Sequence, residues 1–294
     1  MFKTRQVIIL VSFMFIFAAT GLFAAEPQGQ HSRLYIFNQA GGRINPEGAA
    51  DTMELHYQYN YSDSNSILFK NNNIGFGISE TISPATNAIG AFVEIEPIAV
   101  FRLRVQYEYL SYFGAFTALM SFPSKNSDYS DSVLDDMQDD ELAHWAVGTH
   151  FFIQPTFQIQ IKRFIAMNTA SFEWFDVDRE GYFYEPTNDT LMKTEDYFFL
   201  NNAVVGYELW KKDDNTRMIF GVRHEYFHVQ ATDIERQDVA GALVWMMGNK
   251  IWFMEKPMLM VAIGGYPEDR YREKDAFVGV MFSSEYTLWP KGGR

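Results

Sequence analysis

His224, Glu225 and His228 spell the His-Glu-x-x-His pattern of zinc hydrolases. That chemistry needs a helix, on which side chains four positions apart stack about 6 Å from one another and share one metal. The preceding residues, Arg217 to Arg223, read as a strand by period and composition. On a strand rising ~3.3 Å per residue, positions four apart lie about 13 Å from each other. The two imidazoles then cannot hold one ion, and neither a metal nor a cofactor is expected. A second group is ionic. Glu94 and Glu96 share a face of one segment, and Arg102 and Arg104 share a face of the next. A three-residue connection would pair Glu94 with Arg102. A five-residue connection would pair Glu96 with Arg102 and Glu94 with Arg104. Glu108, Arg223 and Glu225 fall on the same polar face, as do Glu54, His56, His150, Lys162 and Glu208.

Two weaker signals remain. Asp128, Asp131, Asp135, Asp136, Asp139 and Asp140 supply the hard oxygen ligands that divalent cations prefer, but without the spacing of an EF-hand. A solvated acidic loop is the plain reading, and a loop cation site is the functional one. Ser171, Ser283 and Ser284 occur alongside His144 and His150, the residue types of a lipid-cleaving Ser–His pair. No G-x-S-x-G elbow accompanies them.

The elements that must carry these residues alternate with a period of two. Leu55, Tyr57, Tyr59 and Tyr61 are interleaved with Glu54, His56, Gln58 and Asn60. Phe101, Leu103, Val105, Tyr107 and Tyr109 are interleaved with Arg102, Arg104, Gln106 and Glu108. Phe157, Ile159 and Ile161, and later Val278, Val280 and Phe282, repeat the pattern. A helix would group apolar residues at i, i+3 and i+4, so the chain is expected to be all-β. Strands are expected at 31–40, 52–62, 66–79, 87–96, 100–110, 142–154, 157–175, 196–210, 216–230, 237–247, 257–266 and 276–289. Ten are clear, and the first and the one after Pro257 bring the count to 12. The gaps alternate between short ones (63–65, 97–99, 155–156, 211–215 and a longer 248–256) and long ones (41–51, 80–86, 111–141, 176–195, 231–236, 267–275).

Antiparallel strands joined by short turns at one end and long loops at the other are the mark of a transmembrane barrel. Over residues 31–289 the chain resembles the bacterial outer-membrane β-barrel proteins as an architectural class. Members usually end in an alternating strand closed by an aromatic residue. Here Tyr286, Leu288 and Trp289 are followed by Pro290-Lys291-Gly292-Gly293-Arg294, a departure from that ending. The resemblance implies an antiparallel barrel of about 12 strands (10–12) in the outer membrane, with lipid and lipopolysaccharide as its surroundings. Arg or Lys facing mid-bilayer lipid costs about 2–4 kcal/mol, so the charged face is expected inside.

The N-terminus agrees with export. Lys3 and Arg5 precede an apolar run from Val7 to Ala19, and small residues follow at Gly21, Ala24 and Ala25. This is the layout of a signal peptide, so residues 1–25 are expected to be cleaved and 26–294 to form the barrel domain. The chain has no cysteine, which excludes disulfides, thiolate metal sites and a Cys nucleophile. A formal charge of −13 argues against nucleic acid as a partner. The expected function is a porin-like passive channel for small polar solutes. The rival expectations are a barrel-embedded lipid hydrolase, or a closed structural barrel whose loops bind partners. Solute identity and oligomeric state are not encoded in any of these signals.

Overall fold

The computed structural model describes residues 32–289, apart from 63, 65, 67, 70, 71, 140 and 141. The expected signal segment 1–25 and the terminal residues 290–294 lie outside the described residues.

Twelve long strands pair antiparallel, each with its sequence neighbours, and the last pairs with the first. They are β1 (Ser32–Ile44), β2 (Gly48–Asn60), β3 (Asn73–Ile82), β4 (Thr86–Ile98) and β5 (Phe101–Phe113), then β7 (Trp145–Ile161), β8 (Phe164–Val177), β11 (Glu195–Asp213), β12 (Thr216–Val229), β13 (Ile234–Met247), β15 (Met254–Glu268) and β16 (Ala276–Trp289). The short β14 (Lys250–Ile251) extends a hairpin at one rim. Closure leaves no open sheet edge, and the backbone satisfies itself without water. Both ends of the described chain, together with the connections 61–72, 99–100, 162–163, 214–215 and 248–253, lie at one rim, the turn end. The connections 45–47, 83–85, 114–144, 178–194, 230–233 and 269–275 lie at the other, the loop end.

Four connections differ from the sequence reading. The expected loops 41–51 and 80–86 tighten to three-residue turns, because β1 and β2 pair as far as Arg43–Gly48 and β3 and β4 as far as Ile82–Asn87. The expected short turn at 63–65 is the connection 61–72, since β3 starts only at Asn73. The break expected at 155–156 is absent, and β7 runs through Pro155 to Ile161. Proline lacks an N–H, and the β7–β8 ladder steps from Ile153–Phe172 to Thr156–Thr169 without a change of register. The imino position therefore costs one stretch of ladder and not the strand. Lys162, expected in the lumen, instead sits in the β7–β8 turn with φ of 56°.

Outside, exposed aliphatic side chains such as Ile78, Val93, Val205, Val222, Ile263 and Val280 form a band. Exposed aromatics border it: Tyr59, Phe157, Phe164, Trp210, Trp252 and Trp289 towards the turn end, and Tyr109, Phe113, Trp145 and Tyr197 towards the loop end. Amphipathic rings favour the headgroup level, so these are interfacial girdles. Two amides face the band from within it, Asn168 and Asn201, and they satisfy each other at 3.1 and 3.2 Å.

Inside, the barrel is filled unevenly. Met258, Met260 and Met281 pack with Ala240, Ala242, Ala262, Tyr266 and Phe277 into an apolar half along β13, β15 and β16, joined by Met167 of β8. The loop end is filled by the two longest connections. Within them, β6 (Ser121–Phe122), β9 (Tyr182–Glu185) and β10 (Thr190–Lys193) form a three-stranded sheet, accompanied by α1 (Asp131–Asp139). Leu119, Met120, Phe183, Leu191 and Met192 from this plug are fully buried against Phe175, Phe198, Phe227 and Val229 of the wall.

Replacing Val280, on the lipid-facing side, with Arg should destabilise the barrel by about 2–4 kcal/mol, while Val280→Leu should be near neutral. Reversible urea unfolding in lipid vesicles measures the difference.

Candidate functional site

Strand period and register decide which side chains meet in the lumen. Glu94, Glu96, Arg102, Glu108, Arg223 and Glu225 are all buried on the inner face, and Arg104 lies there half-buried. In the β4–β5 ladder Glu94 stands opposite Arg104, and a bulge between Ile95 and Ile98 then closes the hairpin with only Ala99 and Val100. The ion pairs run diagonally to this register. Arg102 reaches Glu94 at 3.8 Å, and Arg104 reaches past β4 and β3 to Glu54 on β2 at 2.7 Å. The Arg104 guanidinium also lies 4.0 Å over the Phe92 ring.

From this pair a hydrogen-bonded string extends along β5 and across β7 to β8. Arg104 donates to Gln106 at 2.8 Å, and Gln106 donates to Glu108 at 2.5 Å. Glu108 holds Nδ1 of His150 at 2.8 Å, and Glu173 holds its Nε2 at 3.1 Å. The imidazole stacks on Phe175 with ring centroids 4.0 Å apart. At the other end of the string Glu54 lies 3.9 Å from His56, which bonds the Tyr35 hydroxyl at 3.0 Å.

These residues border a cavity of about 230 Å³ that follows the β1–β8 side of the lumen. Its inner end holds Glu94, Arg102 and Glu285, and its roof is Glu185, Thr187 and Asn188 of the plug. Arg223 and Glu225 do not join it. Arg223 pairs with Asp238 and, at 3.1 Å, with Glu225, on the opposite wall beside the apolar half. Of the seven charges, Glu94, Arg102, Arg104 and Glu108 therefore line the cavity, Arg223 and Glu225 belong to the packed wall, and Glu96 is buried outside the cavity lining.

The plug is tied down by charge outside the membrane-spanning strands. Arg272, in the connection 269–275, contacts Asp189 at 2.8 Å and Asp131 at 2.5 Å. Asp189 belongs to the 186–189 turn that follows Glu185, so it anchors the cavity roof. It also accepts from the Tyr184 hydroxyl at 2.7 Å, and Arg236 donates to the neighbouring Asn188 carbonyl at 3.0 Å. Burial alone would raise the Asp189 pKa, but Arg272, Arg236 and the Tyr184 hydroxyl outweigh it and hold the carboxyl below its usual range.

The remaining sequence candidates scatter. Asp131 opens α1 and is taken by Arg272, Asp128 accepts from the Ser130 amide at 2.8 Å, and Asp135 and Asp136 are exposed. The Asp139 side chain and Asp140 lie outside the described residues. Among the described residues no three His, Asp or Glu side chains are placed to hold a metal ion. His224 and His228 lie on β12 and engage Gln237 and Asp233 separately, at 2.9 and 3.7 Å. Ser171 Oγ has no hydrogen-bond partner, so it is not joined to His150. Glu173 was missed in the sequence, although its place between Phe172 and Trp174 marks it as inward. Asp189 and Arg272 were missed because loops carry no period.

A closed antiparallel wall with an apolar outer band and a polar interior defines an outer-membrane β-barrel, and this chain is one. No protein-family model and no curated protein matches it. Among solved structures, the NanC porin aligns over 86% of this chain and 100% of its own, at 8% identity and a TM-score of 0.41. The translocator domain of the autotransporter NalP from Neisseria meningitidis covers 87% of this chain and 88% of its own, at 10% identity and 0.42. An outer membrane channel from Pseudomonas putida F1 covers 90% and 100%, at 8% identity and 0.39. None of these similarities bears on residue roles.

Removing one partner of a buried ion pair costs about 3–5 kcal/mol. Asp189→Asn should therefore loosen the plug, raising amide exchange across 183–192 while the wall strands stay protected. Because the Asp189 pKa is depressed, its contribution is complete above the unfolded value of about 3.9 and is lost as pH falls through the lower folded value. Protection of this segment should persist at pH 5 and fail only in stronger acid.

Proposed function

We propose that the protein is a passive outer-membrane channel for small polar solutes, closed at rest by its own plug. The observation that carries this reading is the cavity itself. It follows one side of the lumen from the Arg/Glu layer to the underside of the plug, and among its aromatic and aliphatic lining it presents Glu, Arg, Gln, Thr and His side chains that water and polar solutes can wet. A barrel serving only as a scaffold could be filled throughout, as the Met/Ala half is. The mixed charges suit solutes that exchange their hydration for protein groups along the way. The outer band is suited to outer-membrane lipid, with lipopolysaccharide around the loop end.

Opening on this reading needs movement of the 186–189 turn, which Arg272 restrains through Asp189. Purified protein in planar bilayers should show small, infrequent conductance events, and Arg272→Ala should raise the open fraction at least several-fold. If neither protein conducts above background, the channel reading falls. The tightly packed plug favours a second reading, a closed surface barrel, and a silent Arg272→Ala variant that is still folded would leave that one standing.

A further inference from the structure

Resting on the channel reading, we infer that the path passes cations in preference to anions, and that small organic ammonium compounds are its solute class. The lumen carries both signs, but the signs are not distributed evenly. Six carboxylates line the cavity: Glu54, Glu94, Glu108, Glu173, Glu185 and Glu285. Two guanidinium groups, Arg102 and Arg104, share the lining. Each of these is already matched, Arg104 by Glu54 at 2.7 Å and Arg102 by Glu94 at 3.8 Å. Glu285 is matched from outside the lining by Arg33 at 2.8 Å and Lys256 at 3.1 Å. Near the turn end the charges therefore cancel in place.

Beneath the plug they do not cancel. Glu108, Glu173 and Glu185 share that half of the cavity with one imidazole, His150, and with no Lys or Arg side chain of the lining. Both ring nitrogens of His150 lie against carboxylate oxygens. Even with a proton on each nitrogen, one imidazolium offsets one of the three carboxylates and leaves two in excess. Arg223 offers no compensation, being held by Asp238 and Glu225 on the opposite wall. A charge in this confined space is poorly screened by solvent, so an entering anion meets uncompensated repulsion. An entering cation meets carboxylate oxygens, and Tyr112 and Phe152 line the same half with aromatic rings, a surface that suits an ammonium group. His150 already illustrates the preference, since it sits flanked by two carboxylates with its ring on Phe175.

The test is the reversal potential of the purified protein in a planar bilayer under a KCl gradient, with Arg272→Ala used to raise the open fraction. Potassium should permeate at least about threefold better than chloride, the sense expected for carboxylate-lined pores. Ethylammonium in place of potassium should still carry current. Joint replacement Glu108→Gln and Glu173→Gln should move the ratio at least halfway to one. Thr187→Lys should do the same by adding positive charge at the roof while leaving His150 and its carboxylates in place, so the test survives if the double variant does not fold. A chloride-preferring or unselective current overturns the inference and leaves the channel standing, as does a ratio unmoved by either replacement. Exclusion of ethylammonium overturns the solute class. No current from either the wild type or Arg272→Ala overturns the channel reading, and this inference with it.

Discussion

Hydrocarbon offers backbone N–H and C=O groups no partner, and every main feature of this protein follows from meeting that constraint with strands. The ladder must close, which β16 and β1 accomplish over the span Leu34–Trp289 to Ile44–Val278. Once it closes, alternate side chains face lipid and lumen with no further choice. Glu54, Glu94, Arg102, Arg104 and Glu108 then point inward together although they arise from three strands. A one-residue slip in any of these would turn a charge onto the acyl chains. The bulge between Ile95 and Ile98 shows how the constraint is kept, absorbing the odd residue of the β4–β5 hairpin so that Glu94 and Arg104 stay on one face.

The inner faces also explain why the lumen is hollow on one side. On β13 and β15 the inward positions include Ala240, Ala242, Ala262 and Gly264, small enough for Met258, Met260 and Phe277 to lie across the wall. A Cβ on Gly264 would come within 2.6 Å of the Phe277 ring and 2.4 Å of the Val239 carbonyl oxygen, so the residue there must be glycine. On β2, β4, β5, β7 and β8 the inward positions include Glu54, His56, Glu94, Arg102, Arg104, Gln106, Glu108, His150, Gln154 and Glu173. Their long polar chains are held along the wall by one another and cannot be packed into a dry centre. Buried polar groups need partners, and here they find them in the string from Tyr35 to Glu173. The remaining space is the cavity.

Much of this architecture was legible in the residue pattern, and the reason is periodicity. A period of two survives in a single sequence, so the strands, their parity and the inward face of Glu94, Arg102, Arg104 and Glu108 could be read directly. What could not be read depends on pairing between distant segments. Pro155 suggests a break until the ladder beside it proves dispensable there. The division of the charges, with Arg223 and Glu225 on the packed wall, follows from the size of residues on strands far away in sequence. Arg272 and Asp189 lie 83 positions apart in segments without period, and nothing local marks them as partners.

The plug raises the question of how a path through this barrel could open at all. Its apolar side chains rest on an apolar collar at the loop ends of the strands, including Phe175, Phe198, Phe227 and Val229. Each large side chain taken from such a contact into water costs roughly 1.5–3 kcal/mol. Ejecting Leu119, Met120, Phe183, Leu191 and Met192 together would therefore consume a stability comparable to that of a whole domain, about 5–15 kcal/mol. The cavity roof is a different matter. Glu185, Thr187 and Asn188 are polar; Glu185 ends β9, and Thr187 and Asn188 belong to the turn between β9 and β10 and not to its apolar base. Polar groups moving towards water regain hydration, so the main restraint on this turn is the grip of Arg272 and Arg236 on Asp189 and Asn188. The economical opening is a hinge of four residues, with the plug's apolar base left seated in the barrel.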